Sequence, residues 1–390
     1  MRLLIVSAWP HYRSFDGVVG LNPLTREIDY LADLFGHVRH VAPLHEGPPP
    51  AHTSRYQSDR VSVVPLKPSG APGLLGKIDV LRRSPSYIRT IQSELAAADV
   101  VHVRCPSNVS FEALLLLRAA RRKARCWVKY GANWRPSGSE PLSYRLQRMC
   151  LWNGWPRGVV TINGNWPGQP AHIHSFLNPS FSQQEAHVAA SSTGHKHLDR
   201  PVRLVFAGRL SSGKGPVRAL HVLAQLVRDG IDARLDFAGE GPLHETLRRL
   251  TGELGLDGKV GLPGWLPQAQ LRSLYQQAHF AVLPSASEGW PKVLSEAVAF
   301  GAVPIAGAVS CIPQVLDQIG TGVAVPFHDV DAFAAAITRF VRDPARWDAH
   351  RRNGYGSAHL FTYEAYIDRV RRILALDQVQ PSKFATVRGA

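Results

Sequence analysis

The sequence is poor in cysteine and in long apolar segments. Only four cysteines occur in 390 residues: Cys105, Cys126, Cys150 and Cys311. They form no Cys-x-x-Cys pair, and this spacing fits neither a zinc site nor a disulfide framework but is typical of a reducing cytosol. The longest uncharged apolar run, near 297–309, is too short for a membrane span and contains glycine and proline. The N-terminus has too short an apolar core for a signal peptide, so we expect a cytoplasmic protein.

Acidic residues are few relative to basic ones. Lys and Arg number 45 against 30 Asp and Glu, which gives a formal net charge of +15. The basic surplus is 11 in residues 1–200 and 4 in residues 201–390. Such a balance favours anionic partners: nucleotides, phosphorylated substrates, nucleic acid or an acidic membrane surface. Basic and aromatic residues do not interleave and no nucleic-acid motif is present, so we expect no nucleic-acid partner.

Short apolar runs alternate with helical patterns in both halves, which predicts an α/β protein with two doubly wound parallel sheets. The predicted strands are 2–7, 38–42, 61–64, 100–103, 126–130, 159–162, 173–177, 203–207, 234–238, 280–283, 303–306 and 322–325. We expect a first domain over 1–182, a polar linker over 183–200 and a second domain over 201–357. The spacing of apolar residues predicts a final amphipathic helix over 358–378, with Thr362 as its N-cap.

The clearest chemistry lies in residues 286–297, which read ASEGWPKVLSEA. A predicted strand precedes this stretch, and Pro291 suits the first turn of a following helix. The free N–H groups of Lys292 and Val293 would then point out of the helix N-terminus. Together with the helix dipole, such groups favour a bound phosphate.

Charged residues surround this predicted phosphate site. Glu288 and Glu296 flank the helix start, and a carboxylate beside a phosphate is useful where it binds sugar hydroxyls. Arg209 follows a predicted strand, where doubly wound folds bind ligands, and Lys214 lies in the next loop between two glycines. The two cations would clamp a diphosphate. The pattern predicts a nucleotide-sugar site; the alternative is a set of solvated surface charges.

Residues 202–352 resemble the C-terminal half of retaining glycosyltransferases with the GT-B fold, in the large fourth family known as glycosyl transferases group 1. The matching pieces occur in the family's order: Gly208-Arg209-Leu210, Lys214-Gly215, Gly239-Glu240-Gly241-Pro242, VGLPG at 260–264, Pro284-Ser285, Glu288 and Glu296 with seven residues between, GAVPIA at 301–306 and Thr321-Gly322. The first half is similar more loosely, at LIVS (4–7), GVVG (17–20), GHV (36–38), DVVHV (99–103) and Asn178-Pro179. The resemblance implies two Rossmann-like domains facing across a cleft, with the last helix crossing back to the first domain.

The resemblance also implies roles for individual residues. Arg209 and Lys214 would hold the donor diphosphate and stabilise it as leaving group, Glu288 would hold hydroxyls of the donor sugar, and Glu296 would hold the ribose. The remaining implied donor contacts are Gly17, Gly208, Pro263, Gly289, Trp290, Pro291, Lys292 and Val293. Members of the family usually need no bound metal, so we expect neither a metal nor another cofactor.

The sequence departs from the family on the acceptor side. Many relatives carry a histidine at the end of the strand matched here by 126–130, whereas this chain continues as KYGANW over 129–134. Tyr130 or Asn133 would contact the acceptor instead. His102 is a third candidate, with a structural role as its alternative. The general base is therefore unassigned, and in front-face attack the departing phosphate oxygen would accept the acceptor's proton.

We therefore expect a retaining hexosyltransferase that moves a sugar from a nucleoside diphosphate to a sugar or lipid-linked acceptor, in bacterial-type polysaccharide or glycoconjugate synthesis. The alternatives are a GT-B phosphorylase, a nucleotide-sugar epimerase and a non-catalytic nucleotide-sugar-binding protein. The basic run 118–125 is either a solvated helix end or a patch that meets an anionic membrane, which would place the protein at the inner face of that membrane. Donor base, donor sugar and acceptor stay open.

Overall fold

The computed structural model describes residues 1–15, 17–70, 73–119, 124–136, 138, 140–193 and 196–376. These residues form two α/β units around separate sheets, as the sequence predicts. The first contains the strands β1 (Arg2–Val6), β2 (His11–Ser14), β3 (Gly17–Leu21), β4 (His37–His45), β5 (Thr53–Arg55), β6 (Val61–Leu66), β7 (Val100–Cys105), β8 (Arg125–Tyr130), β9 (Val159–Ile162) and β10 (Ile173–Ser175). Its helices are α1 (Asn22–Phe35), α2 (Leu74–Leu95), α3 (Asn108–Ala119) and α4 (Leu142–Trp152).

The second unit follows helix α5 (Gln183–Thr193). Its strands are β11 (Val202–Ala207), β12 (Ala233–Ala238), β13 (Val260–Gly264), β14 (Phe280–Leu283), β15 (Val303–Gly307) and β16 (Val323–Val325). Its helices are α6 (Pro216–Arg228), α7 (His244–Glu253), α8 (Gln268–Gln277), α9 (Lys292–Ala299), α10 (Ile312–Ile319), α11 (Val330–Arg342) and α12 (Pro344–Gly356), and the chain then reaches α13 (Tyr363–Ile373).

Both sheets wind outward in two directions from a central strand. The second sheet is parallel throughout and has the order β13-β12-β11-β14-β15-β16, which is the Rossmann order. The first sheet has the order β10-β9-β8-β7-β1-β4, with β6 on the other side of β4. These seven strands are parallel, and near-continuous apolar runs such as Leu3–Val6 are fully buried because helices cover both faces.

The helices form where apolar residues recur every three or four positions. In α1, Leu24, Ile28, Leu31 and Phe35 are buried on one face against the first sheet. Gly36 ends this helix at φ 81°, a conformation that favours glycine after a helix. The chain can then turn directly into β4.

The final helix crosses back to the first unit, as predicted. Thr362 Oγ1 accepts a hydrogen bond from Ala365 N at 3.2 Å, which confirms it as the N-cap of α13. Tyr363 stacks on Tyr30 of α1 with ring centroids 4.6 Å apart. Tyr366 and Val370 are buried in the core cluster of the first unit, so the chain's last helix forms part of its first domain.

Two predictions about local structure are wrong. The resemblance implied a glycine-containing loop at residues 17–20, but these residues form β3, which pairs with β2 in an antiparallel hairpin that extends the sheet. The predicted polar linker contains the helix α5. It begins with a capping box, in which Ser182 Oγ accepts from Glu185 N at 3.1 Å and Glu185 Oε2 accepts from Ser182 N at 2.7 Å.

Candidate active site

The predicted donor-site residues meet at one crevice of the second sheet. In its strand order, β11 and β14 are neighbours whose following loops turn to opposite sides. Open α/β sheets bind ligands in the crevice at the carboxyl ends of such strands. Arg209 and Lys214 lie in the loop after β11, and Glu288 lies in the loop after β14. The topology therefore brings Arg209 and Lys214 to the same edge of the sheet as Glu288, which lies 79 and 74 positions later in the sequence.

Lys214 and Glu288 form an ion pair in this crevice. Lys214 Nζ donates a hydrogen bond to Glu288 Oε1 at 2.6 Å. The Glu288 side chain is 7% exposed and that of Lys214 is 37% exposed. The loops approach closely because residue 215 is a glycine at φ 75°, where a Cβ would lie 2.3 Å from the carbonyl oxygen of Pro284. The pair fixes the carboxylate and leaves the ammonium accessible.

Arg209 faces a cleft of about 710 Å³ between the two units. Its side chain is exposed, and no ion-pair or hydrogen-bond partner for it occurs in the described part of the chain. Gly208, at φ 142°, also lines the cleft. The other lining residues come from both units and include Pro23, Pro50, Ala51, His52, Glu240, Trp265, Leu266 and Val293.

The start of α9 points toward this cleft. Pro291 is the N-cap residue of α9, so the amides of Lys292 and Val293 belong to the first turn, which has no intrahelical acceptors. Val293 lines the cleft. Lys292 Nζ donates to the carbonyl oxygen of Pro23 in the first unit at 3.4 Å, and burial lowers the pKa of this lysine. The helix N-terminus and a cation thus meet at the cleft.

The loop before α9 packs tightly against the first unit. A Cβ on Gly289 would lie 2.2 Å from the carbonyl oxygen of Gly131, so only glycine fits here. Trp290, an implied donor contact, turns its ring away from the cleft. Its indole is 5% exposed, stacks on Phe361 at 5.6 Å between centroids, and donates from Nε1 to Ser295 Oγ at 2.7 Å. The side chain is a core residue because it closes the gap under the loop.

Glu296 does not line the wide cleft. Its carboxylate lies in a separate cavity of about 20 Å³, which is the size of one water molecule. Tyr275 donates its hydroxyl to Glu296 Oε2 at 3.4 Å, and burial raises the pKa of Glu296 to about 7. Leu271 lines both the cavity and the cleft. Glu296 and the cleft therefore lie on either side of Leu271.

Two further donor-side predictions fall outside the lining of the cleft. Gly17 is an exposed residue at the start of β3, with φ 125°. The glycine of this hairpin that permits close packing is Gly20, where a Cβ would lie 3.1 Å from the His11 ring. Pro263 is exposed within β13, and Trp265, two residues later, lines the cleft in its place.

Two of the three acceptor-side candidates, His102 and Tyr130, lie in the core, which for His102 is the structural alternative. His102 is fully buried within β7, its ring stacks on Trp127 at 3.7 Å between centroids, and burial lowers its pKa well below the usual range. Tyr130 is also buried, accepts a hydrogen bond from Arg148 Nη1 at 3.1 Å, and has its pKa raised to about 12 by burial. Asn133 lies partly exposed in the loop after β8 and stays a candidate.

The first sheet has its own crevice between β1 and β7, where a pocket of about 350 Å³ opens. Its walls are Ala8, Trp9, Pro10, Arg104, Cys105, Pro106, Ser107, Lys129, Gly131, Ala132 and Tyr144. Because Gly131 contacts Gly289, the pocket adjoins the donor loop. We did not predict Arg104 and Lys129 as site residues. A charged residue inside an otherwise apolar strand is the signal that identifies them.

The described residues contain no group of three or more His, Cys, Asp and Glu side chains placed to hold a metal ion. Over the same part of the chain, no helix is long and apolar enough to cross a membrane.

Comparison with known proteins adds to this geometry. The sequence profile of the family described as glycosyl transferases group 1 matches residues 191–357. A putative colanic acid biosynthesis glycosyltransferase of Salmonella typhimurium is 31% identical over 149 residues, which is 36% of this chain and 36% of that protein. A GDP-mannose:cellobiosyl-diphosphopolyprenol alpha-mannosyltransferase of Xanthomonas oryzae is 31% identical over 219 residues, 54% of this chain and 56% of that protein. The chain thus covers between a third and just over half of the length of these relatives.

Solved structures match over almost the whole chain. Sucrose-phosphate synthase from Thermosynechococcus elongatus superposes with a TM-score of 0.69 at 19% identity, over 97% of this chain and 100% of that one. HepE of Anabaena, in complex with UDP and glucose, superposes with a TM-score of 0.67 at 15% identity, over 97% and 100%. Similarity at this identity shows a common fold. The chain therefore has the GT-B fold, and its residues 191–357 match the glycosyl transferases group 1 family.

Proposed function

We propose that the protein is a retaining glycosyltransferase that moves a sugar from a nucleoside diphosphate to an acceptor hydroxyl, in polysaccharide or glycoconjugate synthesis. The Lys214–Glu288 ion pair beside Arg209 is the observation that carries this proposal. Two cations, a carboxylate and a helix N-terminus at one crevice suit a diphosphate bonded to a polyol. The family match of residues 191–357 and the UDP and glucose in the HepE structure support the donor class.

The proposed chemistry uses the groups at the crevice. Arg209, Lys214 and the first amides of α9 stabilise the negative charge that develops on the departing diphosphate. Glu288 accepts hydrogen bonds from donor-sugar hydroxyls and so orients the anomeric carbon. In front-face attack, the acceptor hydroxyl forms the new C–O bond while the bond to the phosphate oxygen breaks, and that oxygen takes the proton. With this positive charge in place, we propose that the reaction needs no metal ion, so that EDTA leaves turnover unchanged.

The donor site is tested first by binding. UDP, GDP, ADP and their sugars are screened by thermal shift, since a ligand at 100 times its Kd adds about 2.7 kcal/mol to the free energy of unfolding. We expect one nucleotide series to raise the melting temperature of the wild type. Lys214→Ala should weaken that effect, because it removes a diphosphate contact, whereas Lys259→Ala removes a lysine paired with Asp232 at 3.1 Å on the far side of the domain and should not.

Turnover of the matching nucleotide-sugar separates the alternatives. We expect Lys214→Ala and Glu288→Gln each to lower kcat by about 100- to 1000-fold, the usual loss when one preorganised group at a developing charge is removed. Turnover at the wild-type rate in both variants contradicts the assignment. Dependence on free phosphate indicates a phosphorylase, an inverted sugar indicates an epimerase, and tight binding without turnover across acceptors indicates a binding protein.

We further propose that the first domain contacts an anionic membrane, with the protein on the cytoplasmic side. The neighbouring helices α2, α3 and α4 expose large apolar side chains, between 36% and 81% exposed, at Leu75, Ile78, Leu81, Leu115, Leu142, Leu146 and Met149. Exposed arginines lie on the same three helices: Arg82, Arg89, Arg118 and Arg145. Apolar residues flanked by cations are typical of surfaces that enter the headgroup region of anionic bilayers.

Vesicle sedimentation tests the membrane contact. Arg121, Arg122 and Lys123 of the predicted basic patch lie outside the described residues, so the test uses the helices instead. We expect the wild type to bind phosphatidylglycerol-containing vesicles more tightly than phosphatidylcholine vesicles. Leu81→Glu with Leu142→Glu should weaken this at least tenfold, whereas Val188→Glu, at an exposed site on α5, should not. Equal binding by all three proteins, or none by the wild type, contradicts the proposal.

A further inference from the structure

The pocket at the crevice of the first sheet is lined by two cations and by no carboxylate. Arg104 and Lys129 lie on adjacent strands, β7 and β8, at directly paired positions of the parallel register. Their side chains are only 10% and 7% exposed. Burying two like charges side by side is unfavourable, so their placement in an otherwise apolar sheet needs a compensating anion.

One anion lies beneath them. Glu27 of α1 accepts hydrogen bonds from Arg104 Nη1 at 2.8 Å, from Lys129 Nζ at 3.1 Å and from the Tyr366 hydroxyl at 2.7 Å. It is 1% exposed and does not line the pocket. Burial opposes its ionisation, yet Arg104 and Lys129 hold the pKa of Glu27 well below its usual range. Burial lowers the pKa of Lys129 to about 7 against the opposing effect of Glu27, so a bound anion would favour its charged form, and Arg104 is the permanently charged member of the pair.

A third source of positive charge lies on the same wall. Ser107 lines the pocket and caps the twelve-residue helix α3, with Oγ accepting from Ser110 N at 3.0 Å. The first amides of α3 therefore lie at the pocket's edge with the positive end of the helix dipole. Tyr144 of α4 lines the opposite side, and the same helix carries the exposed Leu142, Leu146 and Met149.

A closed ring of hydrogen bonds holds the remaining wall, the Ala8–Pro10 loop. Ser7 Oγ bonds His40 Nε2 at 2.8 Å, His40 Nδ1 and His11 Nε2 bond the Tyr56 hydroxyl at 2.9 and 2.7 Å, and His11 Nδ1 bonds Trp9 O at 3.1 Å. Because a carbonyl oxygen only accepts, His11 Nδ1 carries the proton, and His11 Nε2 accepts from the Tyr56 hydroxyl. The Tyr56 oxygen then accepts from His40 Nδ1, and His40 Nε2 accepts from the Ser7 hydroxyl. Burial lowers the pKa of His11 to about 4 and that of His40 well below its usual range, so both stay neutral. The wall is rigid and uncharged, which leaves Arg104 and Lys129 to select the ligand.

We propose that this pocket binds a phosphoryl group of the acceptor through Arg104 and Lys129, and that the acceptor is a phosphorylated compound. The inference rests on the proposed function, because it takes the pocket beside Gly289 as the acceptor side. A guanidinium, an ammonium and a helix N-terminus together match an anion with several oxygens and more than one negative charge. A soluble sugar phosphate and a lipid-linked diphosphate both carry this group.

Isothermal titration in the Arg209→Ala background tests the pocket, since that change removes an expected diphosphate contact on the donor side. The probes are glucose, glucose 6-phosphate and geranyl diphosphate. We expect at least one phosphorylated probe to bind at least tenfold more tightly than glucose, with weaker binding at higher salt. Lys129→Gln should weaken that binding at least tenfold, and Arg104→Lys, which keeps the charge but removes the guanidinium, should weaken it by less. Arg39→Gln, at an arginine paired with Glu94 away from the pocket, is the matched control and should bind as the parent does.

The outcomes are separable. Tighter binding of glucose 6-phosphate indicates a soluble acceptor, and tighter binding of geranyl diphosphate indicates a lipid-linked one; either supports the proposal if Lys129→Gln weakens it. Equal binding of all three probes, or phosphorylated-probe binding that Lys129→Gln and Arg104→Lys leave unchanged, overturns it. The thermal-shift response of Lys129→Gln to the donor nucleotide serves as the folding control. If nucleotides raise the melting temperature and the phosphorylated probes do not bind, the pocket inference fails and the proposed function stands.

Discussion

Lys214 and Glu288 position each other before any ligand arrives. The Glu288 side chain is 7% exposed, and the 2.6 Å hydrogen bond from Lys214 orients its carboxylate. A bound diphosphate would share the ammonium, which is the more exposed member of the pair. Because the site is preorganised, little reorganisation remains for the moment of reaction.

Proton release on nucleotide binding tests whether Glu296 contacts the ligand. Burial raises its pKa to about 7, against the opposing effects of Lys292, Tyr275, Arg272 and Arg26. Ribose hydroxyls donate to an ionised carboxylate, so nucleotide binding should lower this pKa and release about half a proton at pH 7. The release should vanish above pH 9, where the carboxyl is already ionised, and in Glu296→Gln. Binding heats measured in phosphate and in Tris buffer report it, and identical heats in the two buffers at pH 7 would show that Glu296 does not meet the ligand.

The positions of single residues were predictable where motif and topology agree. Lys214 and Glu288 belong to loops after strands, and the crevice between those strands follows from the strand order. Tyr130 was expected to contact the acceptor, but it lies within a strand, where alternation alone does not tell which face is covered by helices. Both faces are covered here, so the side chains of Tyr130 and His102 are in a core, which for His102 is the structural alternative. The ring of Trp290 closes the core beneath its own loop, a role to which a loop tryptophan is well suited.

The loop between β14 and α9 is the element on which both domains converge. It supplies Glu288, packs the Trp290 ring on Phe361, and presents Gly289 to the first domain. No side chain fits at 289, because the nearest neighbour is the backbone of Gly131 and cannot yield. The two domains are therefore held at a fixed distance at this point by direct backbone contact.

Replacing Gly289 tests this coupling. Gly289→Ala would place a Cβ 2.2 Å from Gly131 O, so the loop or the domain must shift. We expect turnover to fall about 100-fold, since a displacement of about 1 Å between reacting groups costs that much, with a loss of stability on the order of 1–3 kcal/mol. Gly252→Ala is the control, because its Cβ would meet open space within α7. Wild-type kcat in Gly289→Ala would mean that the contact does not set the geometry.

Short strands and a polar helix were the elements that sequence patterns missed. The hairpin of β2 and β3 has strands of four and five residues, although the Asp16-Gly17 pair is a hairpin signal in the sequence. Helix α5 contains two glutamines, one histidine and two serines, and it packs on the core through Ala186 and Ala189. Its start was visible as Ser182-x-x-Glu185, the spacing of a capping box.

At the scale of the whole molecule, one acidic residue ties three elements together. Glu185 of α5 pairs with Arg26 of α1 at 2.6 Å and with Arg272 of α8. Burial raises the pKa of Glu185, but the hydrogen bonds from both arginines, among other contacts, lower it below its usual value. The same α8 carries Leu271, the wall between the cleft and the Glu296 cavity. The pairs therefore hold the two domains and this wall in one arrangement.

The substitution Glu185→Gln removes the charge of this residue but keeps its capping hydrogen bond from Ser182 N. Glutamine still accepts from Ser182 N, so α5 should persist. The two ion pairs are lost, and because they are partly exposed we expect a loss of about 1 kcal/mol in the urea-derived free energy of unfolding. The clearer effect should be faster amide exchange in α8 and at the domain contact. Glu253→Gln, which removes an exposed pair with Arg249 on α7, is the control, and equal exchange in both variants would contradict the role of Glu185.

The two-sheet architecture and the final amphipathic helix were predictable because apolar strands and a strong helical period are local signals, whereas the return of that helix to the first domain was implied by the family resemblance. The distance between the domains was not predictable, because it depends on contacts such as Gly289 with Gly131 that join residues 158 positions apart. The hydrogen bonds of Glu27 were not predictable either, because its three partners come from β7, β8 and α13. Periodicity cannot reveal such pairings without a three-dimensional arrangement.

The contact between Tyr366 and Glu27 imposes an order on biosynthesis. Glu27, Arg104 and Lys129 leave the ribosome early, but the hydroxyl that completes their hydrogen bonding and the aromatic face that covers Trp127 arrive with α13. At about 5–20 residues per second, the roughly 200 residues of the second domain take about 10–40 s to translate. During that interval the nascent first domain carries an uncovered apolar surface and an incomplete charge cluster. The charge cluster beneath the pocket at Arg104 and Lys129 is complete only when α13 has been made.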